Sequence, residues 1–367
     1  MTLFVLPSGS GFGWGVCGTE LAKAFRAIAQ ALPIPPECEK TDYPFAFDEP
    51  LVQAIQGVNL LPIRTHVWSK VHNVGLAFIE DSILVKRYVP NSRRYFDHVA
   101  AGSSWCARIL REAGVKETSA FVQGVDTNLF KPRPPAQNAS ECFVIYSGGK
   151  FEYRKAQDVV IRAVAVMMQR HADVRLTCHW HNPWPATMLS MSASSLIKYS
   201  GGSIGNLLNK ENIPSHKVNG SVGSPLRHEK LAEWYNRCDV GLFPNRCEAG
   251  TNLVMMEFMA CGKPVIALNA HGHQDVLAAD DPLLLRHSKE FVYVDAARVP
   301  RGVWYEPNLE ETIERLEWAY QNRDALAPLG ARNCERMLQF TWERTARELL
   351  KICMPDRVGE LAHSSSS

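Results

Sequence analysis

The sequence contains no C-x-x-C pair, although it holds ten cysteines. They fall singly along helix and strand patterns, as at Cys106, Cys142, Cys238 and Cys334, which reads as free buried thiols in a reducing compartment. No apolar run reaches the roughly 18 residues of a membrane-spanning helix. The opening, MTLFVLPSG, lacks a basic n-region, so it reads as a first strand and not as a signal peptide. Charge of one sign is also scarce: 40 Lys and Arg stand against 38 Asp and Glu, a net +2. No nucleic acid or other polyanion is implied by that total, although a local basic cleft remains open. No repeat of solenoid length occurs. What is present is an ordinary soluble composition, 46% hydrophobic and 21% charged over 367 residues, enough for two domains with cores.

TLFVL (2–6) reads as a buried strand, followed by the glycine loop SGSGFGWGVCG and the helix pattern TELAKAFRAIAQAL. Residues 31–60 are proline-rich and give no clear assignment. NVGLAFIE and FDHVAAGSS read as strands, and WCARILREAG as a helix closed by Gly114. Pro132, Pro134 and Pro135 then interrupt the pattern, which places a domain boundary there. Beyond it, CFVIYSGGK, QDVVIRAVAVMMQRH and VRLTCHW alternate strand, helix and strand. LAEWYNRCD, DVGLFPN and FTWERTARELLKIC continue the alternation, with Thr341 as the expected cap of the last helix. The expectation is α/β architecture: two doubly wound Rossmann-like domains, 1–134 and 135–340, facing a cleft. The helix at 341–355 returns to the first domain, and the polar end 356–367 is expected to be disordered.

The most informative stretch is RCEAGTNLVMMEFMACGKPVIA (246–267), which sets Glu248 and Glu257 around a short apolar segment. A helix beginning near Thr251 or Asn252 would leave Glu248 in the preceding loop and Glu257 inside the helix. The amides of Gly250, Thr251 and Asn252, with Leu253 beside them, would then point out of a helix start suited to phosphate. Glu248 would accept from sugar hydroxyls and Glu257 from ribose hydroxyls. The alternative is a helix cap at Glu248 and a surface charge at Glu257.

Four segments together resemble the retaining glycosyltransferases of family 4, the bacterial group 1 type with the GT-B fold. GGKFEYRKAQDVVIRA is similar to that family's Gly-Arg-x4-Lys-Gly turn and helix, with Lys150 at its arginine and Lys155 at its lysine. GVDTNLFKP (124–132), CEAGTNLVMMEFMACGKPVIA and FTWERTARELL resemble its other signatures. The resemblance runs from about residue 95 to 350 and is looser before that. Two departures stand out. Eight residues separate Glu248 from Glu257 where the family has seven. Either the loop carries one extra residue, or backbone at Ala249 and Gly250 takes the first glutamate's place. Lys150 keeps the arginine's charge without its bidentate fork.

The resemblance implies transfer of a hexose from a UDP- or GDP-sugar to a hydroxyl acceptor, with an α-linkage formed. The acceptor class stays open: glycan, lipid-linked or other. Lys150, Lys155 and Glu248 are the candidate catalytic residues. Gly148, Gly149, Gly250, Thr251, Asn252, Leu253 and Glu257 are the candidate nucleotide-sugar site. Gly11, Gly13, Gly15 and Glu80 are expected on the acceptor side, with capping by Asp81 or Ser82 as the rival account of LAFIEDS. No D-x-D occurs, which agrees with a diphosphate neutralised by lysine and with no metal. His179 and His181, and also His271 and His273, read as polar lining and not as metal ligands. Asp126 reads as an Asx turn. Gly13, Gly15 and Gly18 fit G-x-G-x-x-G, which keeps an NAD-dependent enzyme as an alternative. A non-catalytic nucleotide- or glycan-binding protein of the same fold is the other. The expected location is cytoplasmic. KRYVPNSRRYF (86–96) has the composition of a peripheral membrane contact at the inner face or, equally, of a solvated face.

Overall fold

The structure, a computed structural model, describes residues 1–9, 11–28, 31–40, 42–134, 142–222 and 226–353. The polar end 356–367 and Pro135 of the expected domain boundary lie outside these residues. Six parallel strands make the first sheet: β1 (Thr2–Val5), β2 (Ala31–Pro33), β3 (Leu51–Ala54), β4 (Asn73–Ala77), β5 (His98–Ala101) and β6 (Thr118–Ala120). Their order is β2-β1-β3-β4-β5-β6. β1 and β3 are buried at every position, as parallel strands covered on both faces must be. Helices α1 (Gly13–Ala27) and α2 (Ser104–Ala113) cover this sheet. Ser103 caps α2 by accepting from the Cys106 amide, and Gly114 ends it at φ 104°.

The second sheet contains β7 (Phe143–Gly148), β8 (Val174–Trp180), β9 (Val218–Val222), β10 (Val240–Phe243), β11 (Val265–Leu268) and β12 (Leu284–Leu285). Its order is β9-β8-β7-β10-β11-β12. Strand order reverses between β7 and β10, so the loops after these two strands open a crevice at their carboxyl ends. Helices α3 (Gln157–Arg170), α4 (His228–Asn236) and α5 (Leu253–Ala260) belong to this unit. α5 begins one or two residues later than its sequence suggests, because Asn252 takes a left-handed conformation (φ 64°) that helical geometry excludes.

An antiparallel hairpin that periodicity does not reveal follows, β13 (Ser288–Val294) and β14 (Pro300–Pro307). It reaches across to the first domain. Arg301 holds Asp81 through two bonds of 2.8 and 2.9 Å, Ser82 Oγ accepts from the Val303 amide, and Trp304 Nε1 donates to the Glu80 carbonyl. Asp81 and Ser82 therefore serve the hairpin and not a helix cap. Helices α6 (Leu309–Gln321), α7 (Arg323–Met337) and α8 (Trp342–Cys353) end the described chain. Thr341 Oγ1 accepts from the Arg344 amide at the start of α8. α8 then packs on α1, and its Thr345 hydroxyl donates to the Val122 carbonyl. Among the described residues no helix is long and apolar enough to cross a membrane.

Candidate functional site

The loops at the two strand-order reversals meet across one cavity. Gly11, Phe12, Gly13 and Val16 line it from the first domain. Tyr146, Gly149, Lys150, His179, His181, His228, Tyr235, Leu253, Val254 and Glu257 line it from the second. Two helix starts, α1 and α5, therefore open on the same space. Neither carries a side-chain cap or an acidic residue in its first turn. The amides of a first helical turn have no partner within the helix, so each start presents donors and a partial positive charge.

The G-x-G-x-x-G glycines divide by role. Gly13 has nothing within 4 Å of where a Cβ would stand and faces the cavity. Gly18 allows α1 to sit on the end of β1, since a Cβ there would lie 2.0 Å from the Pro7 carbonyl oxygen. Gly15 packs under Phe12 and the Gly9 carbonyl and does not reach the cavity. Across the cleft, Gly148 fits closely above the Tyr146 hydroxyl. Gly149 turns at φ 111°, which lets the chain run from β7 into the cation segment.

That segment carries the charge. Lys155 Nζ bonds Glu248 Oε2 at 2.5 Å, and Asn245 donates to the same oxygen at 2.8 Å. Arg154 lies 3.3 Å from Glu248, 2.7 Å from Glu152 and 3.3 Å from Glu80 of the first domain. Lys150 sits 3.5 Å from Glu152 and 5.2 Å from the centre of the Trp184 ring. Trp184 in turn meets Phe12 edge-on at 5.2 Å, closing the cleft above Lys150. Burial raises the Glu248 carboxyl, but Lys155 and Arg154 outweigh it and hold the group well below the usual carboxylate range. Glu80 goes the other way, raised chiefly by burial.

Glu257, on the fifth residue of α5, accepts from the Tyr235 hydroxyl at 3.2 Å and lines the cavity. Burial pushes its carboxyl up to about 8, because no cation stands beside it to oppose desolvation. Gly250 and Thr251 lie outside the cavity wall. Gly250 packs against Phe78 and Gln123 of the first domain, and the Thr251 hydroxyl meets Met256 Sδ at 3.1 Å. Helix-start donation therefore falls to Leu253 and the residues after it.

His271 and His273, expected as polar lining, are instead buried and do not line the cavity. His271 bonds the Arg246 carbonyl and His273 the Leu268 carbonyl, and His273 Nε2 also meets the Asn252 side-chain Nδ2. They brace the loop that carries Glu248. Asp126 makes the expected Asx turn, accepting from the Asn128 and Leu129 amides. Two contributors escaped sequence reasoning. Arg154 is one; its signal was adjacency to Lys155 in YRK. Arg246 is the other, with its guanidinium on Asp158 (2.7 and 2.8 Å) and Glu306 (2.7 Å).

Residues 142–294 match the family described as glycosyl transferases group 1. Similar curated proteins include a D-inositol 3-phosphate glycosyltransferase of Thermobispora bispora. It is 25% identical over 62% of this chain and 48% of its own length. A second such protein, from Catenulispora acidiphila, is 27% identical over 42% of this chain and 36% of its own length. The chain thus spans about half or less of the length of these curated relatives in the matched region. Solved structures match over nearly the whole chain. Sucrose-phosphate synthase of Thermosynechococcus elongatus has a TM-score of 0.64 at 16% identity, covering 96% of this chain and 97% of the other. Anabaena HepE, solved in complex with UDP and glucose, has a TM-score of 0.65 at 14% identity, covering 96% and 99%. This chain accordingly has the GT-B fold, and its second unit is similar to the glycosyl transferases group 1 family over residues 142–294.

Proposed function

We propose that the chain is a retaining glycosyltransferase that moves a hexose from a UDP- or GDP-sugar to an acceptor hydroxyl, forming an α-linkage. The observation that carries this reading is the convergence of two uncapped helix starts, one from each domain, on a cavity walled by Lys150 and Glu257. An anionic ligand with a polar appendage suits such a place. The group 1 match over the second domain and the UDP and glucose held by a protein of the same fold support it.

In the proposed reaction the bond from the anomeric carbon to the diphosphate breaks and a bond to the acceptor oxygen forms on the same face. The acceptor proton passes to the departing phosphate, so no protein base is required. Negative charge grows on the diphosphate, and Lys150, Lys155 and the first amides of α5 supply the opposing charge without a metal. Glu248 fixes the Lys155 ammonium beside the Gly149 turn. The acceptor, a glycan, lipid-linked or other hydroxyl compound, would enter from the first domain, past Gly11–Gly13. Peripheral membrane contact would fall on 86–96, where Val89–Tyr95 is helical and Arg93 and Arg94 lie near its end.

A thermal-shift series with UDP, GDP, ADP, TDP and NAD tests the reading. A ligand at about a hundred times its Kd adds roughly 2.7 kcal/mol of stability. One nucleoside diphosphate should raise Tm, and Lys155→Ala and Glu257→Ala should abolish the shift. Stabilisation by NAD alone would overturn the proposal.

A further inference from the structure

His179 stands at the carboxyl end of β8, paired in register with Gly148. It is 9% exposed, and neither ring nitrogen has a hydrogen-bond partner. Buried polar atoms are nearly always satisfied, so an imidazole with two orphan nitrogens is a cost that the fold alone does not explain. The other buried histidines differ: His271 and His273 each bond a backbone carbonyl. The His179 ring is nonetheless firmly placed. Trp234 meets it edge-on at 5.8 Å, Tyr146 lies tilted against it at 5.7 Å, and the backbone carbonyl of His179 accepts from the Gly149 amide. The packing orients the ring without satisfying it, and the ring forms part of the cavity wall.

We propose that His179 is the side chain with which this cavity reads the heterocycle of its nucleotide, an inference that rests on the proposed function. Lys150 and the α1 start give the cavity wall charge and amide donors, and His179, His228, Leu231 and Tyr235 add imidazole, apolar and phenol surface to the same wall. Burial lowers the His179 ring to about 4, so it is neutral near pH 7 and offers one donor and one acceptor. A neutral imidazole is poorly matched to phosphate and well matched to the hydrogen-bonding edge of an uncharged planar heterocycle.

The test is calorimetric titration of the full chain with UDP, GDP and inorganic pyrophosphate, for wild type, His179→Phe and His179→Gln. Phenylalanine keeps the wall and removes the nitrogens; glutamine keeps a donor and an acceptor. The nucleoside diphosphate that binds wild type should bind His179→Phe about tenfold or more weakly, with pyrophosphate unchanged and glutamine recovering part of the loss. Tm of His179→Phe without added nucleotide should equal or exceed that of wild type, since an unsatisfied buried group has been removed. Unchanged nucleotide affinity in His179→Phe, or an equal loss for pyrophosphate, would sink the inference while leaving the proposed function standing. No binding of UDP or GDP to wild type would overturn the proposed function itself.

Discussion

Glu248 and Glu257 are nine positions apart in one motif, yet their surroundings drive them in opposite directions. Both are buried. Glu248 has Lys155 and Arg154 against it and stays ionised; Glu257 has only the Tyr235 hydroxyl and rises to about 8. Near neutral pH Glu257 is therefore largely protonated, able to donate to a hydroxyl as well as accept from one. This has a pH signature. In the unfolded chain the carboxyl titrates near its ordinary value of 4.5, so below that pH both states hold the proton and nothing is lost. Between 4.5 and 8 the unfolded state releases the proton while the folded state keeps it, and stability falls. Tm of Glu257→Gln relative to wild type should accordingly rise from pH 5 to pH 8; a difference flat across that range would refute the raised carboxyl. The motif made Glu257 and Lys155 visible as candidates. It could not show that Arg154 sits among three carboxylates, because only Glu152 is its neighbour in sequence and Glu80 and Glu248 come from distant parts of the chain.

At the scale of elements, Arg246 ties the two motif loops together. Its guanidinium joins Asp158 on α3 to Glu306 on β14, donates to the Tyr153 carbonyl and lies 3.8 Å over the Tyr153 ring. Its own amide donates to the Arg154 carbonyl, and its carbonyl accepts from the Tyr305 amide. The Glu248 loop, the Lys155 turn and the hairpin thus share one buried node. Arg246→Ala leaves Asp158 buried with its charge unpaired, which should cost about 3–5 kcal/mol in denaturant unfolding. A loss under 1 kcal/mol would show that the node is dispensable. The hairpin itself was illegible in the sequence. SKEFVYV alternates, but its partner strand begins at a proline after a short turn, and nothing local marks where the pair docks. By contrast α2 announced its end through Gly114, and α8 its start through the Thr341 cap and an apolar stripe.

Across the whole molecule, the buried core does not respect the domain boundary. One apolar cluster joins Ile55 and Val99 of the first domain to Ile145 and Trp304 of the second unit, and another joins Val52 and Phe121 to Phe258 and Leu349. Ion pairs cross as well, Glu80 with Arg154 and Asp81 with Arg301. Packing of this kind couples the two units, so scanning calorimetry should show one unfolding transition; two resolved transitions would contradict it. The same contacts hold the cleft walls in register. Closure on a ligand would then be a small adjustment and not a large hinge, which suits a reaction that must exclude water.

Strand–helix alternation, apolar runs of strand length and the spacing of Lys150, Lys155 and Glu257 follow from local chemistry, and these were readable from the amino acids alone. They established two Rossmann-like units and the loops in which a site would lie. The partners of each charge were decided by tertiary structure. So were the burial that lifts Glu257, the orphan nitrogens of His179 and the hairpin that binds the units together. The physical reason is range. Helix periodicity, caps and turns act over a few residues, whereas desolvation and ion pairing depend on which distant segments the folded chain brings within a few ångströms.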